Sequence, residues 1–216
     1  MGLFSFFSTA QNKRVDTLNT CADIIFDNGF KDVTSKTQFN MQTINLHAQY
    51  YFECQIIALT LIALHYQRQC NISIGLDYIL KESNPLRKIC IDLAKIGAKT
   101  STIVSNCKKN STASSYDDVH YVLTYILYER YCHYETDLSL LLYRDKSEFD
   151  NEFQYEEVYK FAITDLYNLS HNPYVSQLNC PYIKLSSIDI ADMPHIYIDM
   201  LQTCKTARQI IEKTLK

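Results

Sequence analysis

"YYFECQIIALTLIALHY", residues 50–66, decides the fold. Its centre, 56–64, is apolar except for Thr60. A helix that crosses a bilayer needs about 20 apolar residues, and this run is about half that length. Glu53 and Gln55 precede it, and His65, Gln67, Arg68 and Gln69 follow it. A helix that is apolar on every side but too short to span a membrane belongs at the centre of a helical domain. Glu53 then enters the core with it. A buried carboxylate needs a hydrogen-bond partner or a raised pKa. With seventeen tyrosines in the chain, a tyrosine hydroxyl is the expected partner. His65 is expected to be partly buried as well.

The flanking sequence has the same helical character. Val15, Leu18, Ala22, Ile25 and Phe26 recur at helical intervals over 14–27, and Asn28 and Gly29 close that segment. The helix carrying the central run is expected over about 38–69. Asn84 and Pro85 form a cap followed by a first-turn proline and open a helix to about 95. A short helix is expected over 98–108. The polar loop "KKNSTASS" follows, and Ser115 caps a long helix over about 117–143. Further helices are expected over about 154–169, 186–191 and 195–214. Strand and helix patterns compete only in "CNISIGLDYIL", 70–80. No repeat or low-complexity linker divides the chain. The expectation is an all-α single domain, 1–216, a bundle of about seven to nine helices around the central one.

Composition narrows the function classes. Four glycines in 216 residues is far below the average of about 7%. Parallel α/β folds and nucleotide-binding loops spend glycine heavily, and no Gly-x-Gly or Gly-Lys-Ser/Thr occurs. The net charge of −3 provides no general attraction to nucleic acid or acidic membranes. The eight cysteines form no CxxC pair or zinc knuckle, and most sit among apolar neighbours. Buried free thiols in a reducing cytoplasm are expected. The apolar start "MGLFSFF" lacks a basic leader region and is too short for a signal peptide. It is expected to pack onto the domain.

Tyr121, Tyr125, Glu129, His133 and Asp137 recur every four residues and form one stripe on a helix. Such a stripe resembles half of a carboxylate–histidine metal site. Di-metal bundles need Glu-x-x-His on two helices, and neither that motif nor His-Glu-x-x-His is present. The expected arrangement is that Glu129 supports His133, Arg130 snorkels, and the stripe faces water or a partner. Arg130 and His133 are too close in sequence for the arginine–histidine motif of the helical HEPN ribonucleases. No serine or cysteine elbow accompanies any histidine. Neither a catalytic residue, nor a metal, nor a cofactor is assigned.

Charge is more informative by segment. Over 145–157, "DKSEFDNEFQYEE", six acids face one lysine, with aromatics between them. The segment 81–109 is basic, seven against two, and the tail 205–216 is four against one. Acids steer a cationic surface while aromatic rings supply anchoring area. The candidate partner-binding residues are Asp145, Glu148, Phe149, Asp150, Glu152, Phe153, Tyr155 and Glu156. Segment 81–109 has an ordinary amphipathic pattern without stacking aromatics, so nucleic acid is not an expected partner. Together these features point to a cytoplasmic protein-binding module without catalysis. The concrete form is an immunity-type inhibitor that occludes a basic toxin such as a nuclease. The alternatives are a helical ribonuclease or metal-dependent hydrolase using His133 and Glu129, and a structural subunit of a larger assembly.

Overall fold

The computed structural model describes residues 3–30, 41–70, 91, 95, 127–171 and 195–216. Within them the chain forms α1 (Leu3–Gly29), α2 (Met41–Cys70), α3 (Tyr128–Tyr143), a 3-10 turn (Lys146–Glu148), α4 (Glu152–His171) and α5 (His195–Thr214). There is no strand among the described residues. The all-α class holds, but the count of seven to nine is not reached among the described residues, which form five α-helices. The apolar start and the 14–27 segment are one 27-residue helix. The helices expected over 98–108 and 186–191, nearly all of 84–95, and the ambiguous 70–80 lie outside the described residues, as does most of the basic segment 81–109.

α2 is the central element. Every residue from Phe52 to His65 is buried, and α2 packs against all four other helices. This is the arrangement its uninterrupted run demands, since a helix with no polar face needs neighbours on all sides. The hydroxyl inside the run bonds locally: Thr60 Oγ1 donates to the Ile56 carbonyl at 2.8 Å. His65 Nε2 donates to the Leu215 carbonyl at 3.2 Å and so ties α2 to the end of α5. No helix among the described residues is long and apolar enough to cross a membrane.

The surrounding helices each bury one stripe. α1 contributes Leu18, Cys21, Ala22 and Ile25, α4 contributes Ala162, Ile163, Leu166 and Leu169, and α5 contributes Met200, Cys204, Ala207 and Ile211. Gly29 ends α1 as expected, and α5 packs closely on it: a Cβ there would lie 2.6 Å from Met200 Sδ. α3 buries Tyr131, Tyr134, Leu138, Leu141 and Leu142. Its C-terminal carbonyls are held by two cations from other helices. Arg68 of α2 donates to the Tyr143 carbonyl at 2.8 Å, and Arg208 of α5 donates to the Leu142 carbonyl. Both guanidiniums also lie over the Tyr143 ring, at 4.6 and 4.1 Å. Positive charge at the negative end of a helix is favourable, so this junction fastens α2, α3 and α5 where the acidic connector begins.

Candidate functional site

The connector between α3 and α4, with the first turns of α4, carries all eight candidate partner-binding residues. Short-range polar bonds shape it. Ser147 N–H donates to Asp145 Oδ1 at 3.5 Å, and Asp145 N–H donates to Glu148 Oε1 at 3.1 Å, the reciprocal pattern of a capping box. Asn151 Oδ1 then accepts from Gln154 N–H at 2.8 Å and caps α4. Asp145 and Glu148 are therefore turn-forming residues first, and Glu148 also faces Arg144 at 3.7 Å. Glu152 pairs with Lys146. The pair's own hydrogen bond lowers the Glu152 carboxyl and raises the Lys146 amine. No ion-pair partner of Asp150 or Glu156 occurs among the described residues.

The aromatics divide into two sets. Phe149 and Tyr155 meet edge to face at 5.3 Å, Tyr155 continues to Tyr159 at 5.7 Å, and Lys146 lies over the Tyr155 ring. This half-buried row stiffens the connector. Phe153 behaves differently: it is 73% exposed. Phe161, two turns further along α4, is 51% exposed, and sequence reasoning passed over it because it lies beyond the acidic run. Its signal was present: on a helix that buries Ala162 and Ile163, residue 161 falls on the outer side.

The Glu129–His133–Asp137 stripe does not behave as one surface. Glu129 is exposed and His133 half-exposed, but Asp137 is buried at 2%. The expectation that the stripe faces water fails at Asp137 because α4 covers that end of α3. Asp165 of α4 approaches there, with His133 Nδ1 3.8 Å from Asp165 Oδ2. Burial, followed by the charge and hydrogen bond of Asp165, pushes the Asp137 carboxyl up to about 9. Its Oδ2 has no hydrogen-bond partner. No group of three metal-ligating side chains occurs among the described residues.

Arg130 does not snorkel. It is buried and bonded through Nε to Glu53 Oε1 at 2.8 Å. Tyr134 O–H donates to the other Glu53 oxygen at 2.7 Å, so the expected tyrosine partner is present. Arg130 Nη1 also donates to the Leu169 carbonyl at 3.4 Å. Burial raises the Glu53 carboxyl, while Arg130 and Tyr134 pull it down. With both carboxylate oxygens engaged, the cluster joins α2, α3 and α4. Heptad-like steps from Leu127 pass through Arg130, Tyr134, Asp137 and Leu141, so the sequence did mark two charged residues for the core side. It could not say what would meet them.

Cys21, Cys54 and Cys204 are buried free thiols, as expected. Burial pushes Cys21 and Cys204 up to about 12 and Cys54 well above its ordinary value. A groove of about 380 Å³ between α1 and α5 is lined by Ile24, Asn28, Asp199, Gln202, Thr203 and Thr206. It brings together amides and hydroxyls with one carboxylate, Asp199, and the Thr203 and Thr206 hydroxyls donate to the Asp199 and Gln202 backbone carbonyls at 2.7 and 3.0 Å. Searches against protein-family models, curated proteins and solved structures return no match to this chain.

Proposed function

We propose that this chain is a non-catalytic protein-binding module whose contact surface is the α3–α4 connector and the start of α4. One observation carries the reading: Phe153 stands 73% exposed amid acidic residues, on a turn already ordered by its own caps. Fully burying such a ring contributes about 1.5–3 kcal/mol, and a preordered turn leaves little entropy to lose on binding. Asp150 and Glu156 steer a cationic partner, and Phe153 anchors it. The concrete form is an immunity-type inhibitor that occludes the active site of a basic toxin such as a nuclease. It would act in the cytoplasm, where free thiols persist.

The test is to isolate the native-host partner and measure association kinetics against salt. Asp150→Lys with Glu156→Lys should slow association at least tenfold at low salt, and Phe153→Ser should speed dissociation. Helicity should remain unchanged in both. If neither variant alters binding to that partner, the contact surface lies elsewhere.

A second reading, a helical hydrolase or ribonuclease using His133 and Glu129, has one observation in its favour: the contact of His133 with Asp165. A carboxylate beside an imidazole orients it for general-base work. Stoichiometric metal in the purified protein, or an activity lost on His133→Ala, would establish this reading over the first.

A further inference from the structure

We propose that the outer ridge of α4 docks a cationic amphipathic helix of a partner protein. The inference rests on the protein-binding reading above and specifies what that surface accepts. Phe153, Glu157 and Phe161 follow one another at four-residue intervals on the exposed side of α4. Two large rings thus sit eight residues apart, about 12 Å along the axis, with a carboxylate between them. Glu157 is paired only loosely, at 4.0 Å from Lys160, and Asp150 and Glu156 lie at the same end of the helix. The opposite side of α4 is consumed by the core through Ala162, Ile163 and Leu166, and this ridge carries its two exposed rings.

The shape of the surface selects a helix. α4 presents a convex row of side chains, with its backbone groups already bonded within the helix. An extended peptide laid on it would find no main-chain partners and would desolvate its own amides without compensation. A helix brings its backbone satisfied and packs ridges into grooves, offering anchors at i, i+4 and i+7. Charge selects the sign. The six acids against one lysine over 145–157 favour lysine and arginine beside the anchors. They disfavour a second copy of this chain, whose antiparallel α4 would set Glu157 against Glu157.

The test uses a labelled synthetic peptide of about 18 residues, five helical turns, with leucine at helical spacing and lysine elsewhere. An isomer of identical composition carries the same leucines in alternation. Fluorescence anisotropy with the full chain should show at least tenfold tighter binding of the helical peptide. Phe153→Ser and Phe161→Ser should each weaken it at least tenfold with unchanged circular dichroism. Equal affinity for the two isomers, no binding of either, or no effect of Phe161→Ser overturns the proposal. In the last case, binding of both isomers that still falls with Asp150→Lys and Glu156→Lys would leave the broader cationic-partner reading standing, and indifference to every substitution would remove both. A dimer in sedimentation that Phe161→Ser dissolves would assign the ridge to a second copy and likewise overturn the proposal.

Discussion

Replacing Asp137 with asparagine should stabilise the protein at neutral and alkaline pH and flatten its dependence on pH. The carboxyl is 2% exposed and faces Asp165. Folding raises its pKa to about 9, against about 3.9 for an unfolded aspartate. The folded state therefore binds this proton more tightly than the unfolded chain does. The stability linked to it is complete below about pH 4 and is lost as pH climbs toward 9. Each unit of difference corresponds to about 1.4 kcal/mol, so at pH 7 roughly 4 kcal/mol has gone, a large share of a typical total of about 5–15. Asparagine needs no proton, and its amide N–H can donate where the carboxyl O–H does. Allowing for imperfect geometry, Asp137→Asn should gain about 2–4 kcal/mol at pH 8 and little at pH 4. Urea unfolding followed by circular dichroism at pH 4, 5, 6, 7 and 8 provides the measurement. Glu53, Glu129 and Glu135 are also raised by burial, so the wild-type slope is a sum, and the difference between wild type and variant isolates Asp137. A variant less stable than wild type at pH 8 by as much as at pH 4 would refute the reasoning.

The Glu53–Arg130–Tyr134 cluster yields a second expectation: Arg130→Ala leaves a buried carboxylate without its cation and should cost about 3–5 kcal/mol in denaturant unfolding, while Glu53→Leu combined with Arg130→Met should recover most of that loss. Arg208→Ala removes one of the two cations at the end of α3 and over the Tyr143 ring, and should lower stability by about 1–2 kcal/mol, read as a lower melting temperature. Timed reaction with a thiol reagent should leave Cys21, Cys54 and Cys204 unmodified in the native protein, since burial keeps them protonated. Half-buried Cys132 should react first among the described cysteines, and denaturant should release the others.

The sequence by itself determined the helical class, the central position of α2 and the place where α1 stops. An apolar run too short for a membrane and too continuous for a surface has only one home, and those constraints are local or compositional. It also marked the acidic–aromatic segment, which is readable as composition. Tertiary structure decided which of those acids shape the turn and which face outward, because capping and the Lys146–Glu152 pair depend on how the connector bends. It also decided the fates of Arg130 and Asp137. The sequence reading sent both outward, and the structure buries both: Glu53 lies 77 positions from Arg130, and Asp165 is on a different helix from Asp137. Whether a buried charge is neutralised by an ion pair or by a proton depends on what the neighbouring helix brings opposite it, and helical periodicity describes one helix at a time.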